Sequence, residues 1–322
     1  MRIGKLLFVP ILLAIGTTSF AQSFSQAVSL YESKKADEAF SSFNSIKKGD
    51  KNYAESRYYM GMISMQKNDL TKAEEYVSQA LSANNEVAKY HLAMTNILGQ
   101  KVAGAGPLRQ ATYASKIRTH MEEAARLDPN DINTRFMLIA FYSRAPKMMG
   151  GDMEKAKKAA DEIFKKNRAE GYRALATIAV AEEKFVEAET NFKRAVSASP
   201  DSVKYYTGLA SFYQSRSKYD EALGVYEQAI TKFPSNRNLL LQAGRVVSLS
   251  GTKNSEKGLK YLNRYIESAP NKTDRNLASA YYYLGVIEKD KKNIPSARAH
   301  FTTALKINPS HQQSQQAIND LK

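Results

Sequence analysis

The strongest constraint on this chain is a 34-residue internal period. Tyr172, Leu175, Ala176, Ala188, Phe192, Ala195 and Pro200 recur as Tyr206, Leu209, Ala210, Ala222, Tyr226, Ala229 and Pro234. Near the C-terminus the same spacing returns as Tyr281, Leu284, Gly285, Ala297, Phe301, Ala304 and Pro309. A unit of this length is one supersecondary element that cannot bury its apolar side alone, so successive copies must stack.

The residues within the period spell out a helix hairpin. Apolar positions at helical intervals define a first helix, and a turn such as 217–220 leads into a second. Asp69 and Asp220 stand where an N-cap accepts orphan backbone N–H groups. Small residues (Ala210 against Ala222, Gly285 against Ala297) let the helices approach, and Phe192, Tyr226 and Phe301 fill the space beside them. The second helix stops before Pro200, Pro234 or Pro309, because proline lacks an N–H and disfavours helix in its predecessor.

These positions resemble the tetratricopeptide repeat, with tyrosine or leucine where that family often has tryptophan. The resemblance implies an all-α fold: a right-handed α-solenoid of about eight helix hairpins with a short capping helix. The expected units are 20–53, 54–87, 88–132, 133–168, 169–202, 203–236, 237–272 and 278–311, with the cap at 312–322. Asn85 replaces the closing proline of the second unit.

Two units break the period, and insertions in a solenoid fall on loops. The third inserts 99–111, whose glycines lack the Gly-Lys-Ser/Thr of a phosphate cradle and read as a flexible loop. The fourth inserts 145–152, where Pro146 ends a helix, the Gly150-Gly151 pair permits positive φ, and Asp152 caps the next helix. Met148 and Met149 either pack onto the loop of the third unit or form an exposed contact patch. Single apolar loop residues usually bury, so packing is expected. The stretch 96–160, with Leu108-Arg109-Gln110-Ala111, Leu127-Asp128-Pro129 and Ala145-Pro146 before Met149-Gly150-Gly151, is similar to a group of exported bacterial tetratricopeptide repeat proteins.

Export also follows from the N-terminus. Arg2 and Lys5 precede an apolar run of about ten residues, against the roughly 20 a membrane span needs. Small residues at Ser19 and Ala21 suit cleavage after Ala21, so 1–21 reads as a signal peptide and 22–322 as the mature chain. The expected location is the periplasm, or outside the cell, with no membrane span. The chain has no cysteine, which excludes a lipid anchor at the cut, disulfide bracing and thiolate-bound metal. Its net charge of +15, from 47 basic and 32 acidic side chains, first suggests nucleic acid. No polybasic block exists, so the charge reads instead as a solvated lysine-rich surface, and no nucleic-acid partner is expected.

No enzymatic motif emerges. His91, His120, His300 and His311 have no metal-binding spacing, no Gly-x-Ser-x-Gly elbow is present, and Glu74-Glu75, Glu122-Glu123 and Glu182-Glu183 read as solvated neighbours. No cofactor or metal is expected.

The repeat resemblance implies that partners bind along the inner faces of the first helices. Tyr58, Met62, Met65, Lys89, Leu92, Asn96, Met137 and Phe141 project there in the N-terminal half. Arg173, Thr177, Lys204, Gln214, Arg245 and Tyr282 do so in the C-terminal half. Phe24, Tyr58, Leu92 and Met137 occupy the lysine position of the family's chaperone-binding carboxylate clamp, so that clamp is not present as a set. The expected function is a non-enzymatic periplasmic scaffold that holds a protein or peptide segment in a concave groove. Apolar anchors would seat towards the N-terminal half, with acidic residues read by Arg173, Lys204 and Arg245. The alternative is a small-molecule or lipid-binding module whose pocket is closed by the 99–111 and 145–152 insertions.

Overall fold

A computed structural model describes residues 15–270 and 275–321, with side chains from residue 23 onward apart from that of residue 275. Of the expected signal peptide, residues 1–14 lie outside the described residues, and 15–21 are described only as the backbone that begins the first helix. Seventeen α-helices and no strand occur among the described residues. The chain forms two compact units, one ending at Ala160 and one beginning at Asp161.

The first unit holds α1 (Ile15–Glu32), α2 (Ala36–Asn44), α3 (Tyr53–Gln66), α4 (Leu70–Ala83), α5 (Ala88–Val102), α6 (Pro107–Leu127) and α7 (Ile132–Arg144). A 3-10 turn at Lys147–Met149 follows, and then α8 (Met153–Lys166), which runs across the unit boundary. From α1 to α7 each helix packs on its sequence neighbour, and α3 also touches α5. The second unit holds α9 (Arg168–Ala181), α10 (Phe185–Ala198), α11 (Val203–Ser215), α12 (Tyr219–Lys232), α13 (Arg237–Leu249), α14 (Ser255–Glu267), α15 (Arg275–Asp290), α16 (Ile294–Ile307) and α17 (Gln312–Asn319). Here too neighbours pack in chain order, and α13 reaches α15.

The small residues of the period set the helix spacing. A Cβ on Gly61 would come within 2.5 Å of Val77 Cγ2, so α3 and α4 meet at a distance only glycine permits. Ala73, Val77 and Ala80 on the facing side of α4 are fully buried. Within each unit the buried apolar residues join into clusters that span several hairpins, as the stacking argument requires.

The hairpin turns share a device that composition hides. Lys34, Asn68, Glu183, Ser217 and Lys292 all take left-handed φ, between 55° and 64°. In each case the next residue donates its N–H to a carbonyl five positions back, as Asp69 does to Ser64 and Lys218 to Tyr213. This is the Schellman ending of a helix, closed without glycine. Gly251, 34 residues after Ser217, supplies at the equivalent turn the residue type that the conformation favours.

Two local expectations are corrected. Asp69 does cap α4, accepting from Lys72 N at 3.1 Å. Asp220 instead lies inside α12 and accepts hydrogen bonds from Lys253 Nζ at 2.5 Å and Asn254 Nδ2 at 2.8 Å, tying neighbouring hairpins together. The 99–111 insertion is not a long loop either. α5 continues to Val102 and α6 starts at Pro107, leaving a connection of four residues. Pro107 occupies the first helical turn, where a missing N–H costs nothing, and Leu-Arg-Gln-Ala then propagates the helix. The extra residues therefore lengthen α6 to 21.

The 145–152 insertion keeps its expected form. Gly150 has φ +96°, and Asp152 Oδ1 accepts from Lys155 N at 3.1 Å. Met149 is half-buried, but Met148 is 90 % exposed, contrary to the expected packing. The turn brings Gly150 so close to the Arg118 side chain that a Cβ there would lie 2.7 Å from Arg118 Nη1.

Candidate functional site

The expected site residues of the first unit fall into two neighbouring places. Tyr58 sits on α3 beneath Lys89, whose Nζ is 5.1 Å from the ring centroid. Lys89 is itself ion-paired with Glu55, and Tyr90 donates its hydroxyl to Glu55 Oε2 at 2.6 Å. Burial and this carboxylate push the Tyr90 phenol far above its ordinary range. Met62 and Met65 are half-buried against the cluster of Ala73, Val77, Ala93, Met94, Ile97 and Leu98.

Met65 then joins Asn96 and Phe141 in lining an open groove of about 600 Å³. The rest of its wall comes from Thr95, Gly99, Gln100, Ile117, Met121, Met137 and Ala140, so α3, α5, α6 and α7 all contribute. Sequence projection placed Met137 on this face but did not assign Ile117 and Met121 to it, because only the first helix of each hairpin was projected and these two stand on a second helix. The lining is dominated by flexible thioethers and one aromatic ring, a surface that can repack around differently shaped apolar groups.

In the second unit the projected cations are already engaged. Glu170 is 6 % exposed and is held by Arg173 Nε at 2.8 Å, by Lys204 and by the Tyr205 hydroxyl at 3.0 Å. Burial works to raise the Glu170 carboxyl, but the hydrogen bonds from Lys204 and Arg173 outweigh it, and its pKa lies below the ordinary value. Burial pushes the Tyr205 phenol up to about 12, with Glu170 adding to the rise. Arg245 remains exposed, and its Nη1 donates to Gln242 Oε1 at 3.2 Å. Gln242 lines a second groove, of about 570 Å³, with Thr207, Ser211, Asn236, Asn238 and Asn276 among its walls.

Two of the paired carboxylates expected as solvated neighbours, Glu74 and Glu122, serve as inter-helix ties. Glu74 accepts from Lys101 at 2.5 Å, and Glu122 accepts from the Tyr142 hydroxyl at 2.5 Å. Only folding brings these partners together, so the sequence carried no signal for them.

A histidine pair was also missed. His91 on α5 and His120 on α6 place their Nδ1 atoms 3.0 Å apart, and His91 Nε2 lies 2.9 Å from the Asn85 carbonyl. A carbonyl only accepts, so His91 carries its proton on Nε2 and its Nδ1 receives the His120 Nδ1–H. Burial, His91 and Lys116 depress His120 to about 4. Among the described residues no three or more His, Cys, Asp or Glu side chains gather as a metal site would need. Nor, among them, is any helix long and apolar enough to cross a membrane.

The second insertion does not close the first-unit groove. Residues 142–154 line a separate hollow of about 370 Å³, whereas the groove receives only Gly99 and Gln100 from the first insertion.

Comparison with known proteins rests on the repeat. Family models described as tetratricopeptide repeat match residues 54–87 and 173–237. No curated protein sequence matches the chain. A crystal structure of a tetratricopeptide repeat protein from Parabacteroides merdae is similar over 94 % of this chain and 99 % of its own, at 13 % identity and TM-score 0.54. YrrB, described as a TPR protein with an unusual peptide-binding site, is 17 % identical over 77 % of this chain and all of its own, with TM-score 0.40. A monomeric IFIT1 mutant bound to Gppp-AAAA is 15 % identical over 95 % of this chain and 72 % of its own, with TM-score 0.49. The matched repeats, the helix-pair packing and the all-helical architecture agree: this chain is a tetratricopeptide repeat protein.

Proposed function

We propose that this protein is an exported, non-enzymatic scaffold that holds a segment of a partner protein in the first-unit groove. The observation that carries the reading is the groove itself. Met65, Ile117, Met121, Met137 and Phe141 leave an apolar hollow of about 600 Å³ at the surface, edged by Asn96 and Gln100. Apolar anchors entering such a hollow supply most of the free energy of a peptide contact, and amide side chains at the edge satisfy the peptide backbone. Arg173 and Lys204 take no part in reading acidic residues in this proposal, because Glu170 occupies them. Arg245 keeps that role. Export rests on the charged, apolar and small-residue order of 1–21.

Photo-crosslinkers at Asn96 and Met137, in the tagged full-length protein expressed in its own cells, test the proposal. Both positions are expected to trap one partner, with contacts mapping to one apolar segment, and Phe141→Ala is expected to reduce the adduct in line with about tenfold weaker binding. Trapping that is undiminished in Phe141→Ala, or that maps to scattered surfaces, would overturn it. The small-molecule alternative predicts instead a bound ligand retained by gently purified protein and a thermal shift from that ligand alone.

A further inference from the structure

A different cavity, independent of the groove, carries its own chemistry. It measures about 320 Å³ and is lined by Arg168, Tyr172, Arg194, Ser197 and Ala198, at the edge where the first turn of α9 meets the last turn of α10. None of the lining residues is acidic. Arg194 Cζ lies 5.9 Å from the centroid of the Tyr172 ring, and Phe164 meets the same ring edge-on at 5.0 Å, so the aromatic part of the wall is packed, whereas both arginines are exposed. Among the described residues neither arginine is paired with a carboxylate. This sets them apart from Arg173, Lys193 and Lys204 close by, each of which has one.

The rest of the chain provides an internal control. The α3–α4 hairpin forms a cavity of the same size at the equivalent edge, lined by Lys48, Tyr53, Glu75, Ser78, Gln79, Ser82 and Ala83. Aligning Glu55 with Glu170 puts Tyr53 opposite Arg168, Gln79 opposite Arg194 and Ser82 opposite Ser197. One period further on, Ser202 and Gln228 stand at the two arginine positions. The hollow therefore belongs to the repeat, but the arginine pair does not. Helix stability does not ask for Arg168 either, since a cation in the first turn of α9 opposes the helix dipole.

We propose that this cavity binds a phosphate monoester. Two guanidinium forks present charge +2 to a dianion, and their parallel N–H donors match tetrahedral oxyanion oxygens. The Ser197 and Tyr172 hydroxyls add donors for a remaining oxygen. A single carboxylate would occupy one fork and leave the other charge unmatched.

The test is phosphorus NMR of inorganic phosphate and of glycerol 3-phosphate, titrated with the whole protein. Saturable broadening of both signals is expected in the millimolar range or tighter. Arg168→Gln and Arg194→Gln are each expected to weaken it about tenfold, the scale of one charge-assisted contact. Lys193→Gln, one residue away but paired with Glu189, is expected to change nothing. Acetate at equal ionic strength should not compete. Binding of both phosphates assigns the site to an esterified group, whereas binding of inorganic phosphate alone limits it to the free ion and overturns the ester assignment. No saturable binding, equal competition by acetate, or an unchanged titration in the folded double variant would overturn the proposal entirely. Circular dichroism confirms folding of each variant.

Discussion

The two units use one repeat to make two different inner surfaces. All ten methionines of the chain lie at or before Met153, and three of them line the first-unit groove. The corresponding hollow of the second unit is walled largely by amides and hydroxyls, including Thr207, Ser211, Asn238, Gln242 and Asn276. A second pairing makes the contrast sharper. Glu55 with Lys89 and Tyr90 recurs, at the same spacing of 34 and 35 residues, as Glu170 with Lys204 and Tyr205. The difference is the residue three positions on, Tyr58 in one unit and Arg173 in the other. With tyrosine there, the lysine lies over an aromatic face and the carboxylate stays 24 % exposed; with arginine, the carboxylate is ringed by cations and only 7 % exposed. The shared station ties neighbouring first helices together. The variable residue decides whether the surface beside it is apolar or polar.

The largest effect should come from breaking the more buried station. Glu170→Ala leaves Arg173 and Lys204 facing each other and is expected to cost about 2 kcal/mol in urea unfolding, below the figure for a fully buried pair because both cations reach water. The Glu170 carboxyl lies below its ordinary value of 4.5, so its contribution is full above that pH and fades as pH falls through its folded-state value. The loss on Glu170→Ala should therefore shrink in acid. Phe141→Ala comes next: it should leave stability nearly unchanged and weaken partner binding about tenfold, near 1.4 kcal/mol. Glu55→Ala, at the more exposed station, is expected to cost about 1 kcal/mol. Smaller again is Tyr58→Arg, which installs the second unit's residue in the first. It should weaken binding of an apolar segment, and unchanged binding would show that the surfaces beside the two stations differ for another reason.

The histidine pair adds a pH signature to the first unit. His120 sits at about 4, below its ordinary 6.5. The neutral pair is therefore fully stabilising above about 6.5, and that contribution is lost as pH falls towards 4. Proton NMR should find a His120 midpoint near 4 that rises in His91→Gln.

What the sequence disclosed follows from what is local. Periodicity, the small-residue contacts and the prolines are encoded within one hairpin, and they place the helices from Gly61 to Phe301. Asn96, Met65 and Phe141 were placed on the inner face because the repeat projects them there. The carboxylate that claims Lys204 lies 34 residues away, and His91 finds His120 only after α5 and α6 pack, so neither pairing leaves a local trace. The length of α6 was misread because glycines at 99, 104 and 106 outweighed the helix-forming run after Pro107.

Methyl NMR of the methionines decides whether the first-unit groove holds the partner, because all the reporters lie in the first unit. On addition of the trapped partner segment, shifts are expected at Met65, Met121 and Met137, with Met60, buried in a separate cluster, unmoved. A segment that binds with the same affinity while all three groove methyls stay in place would contradict it.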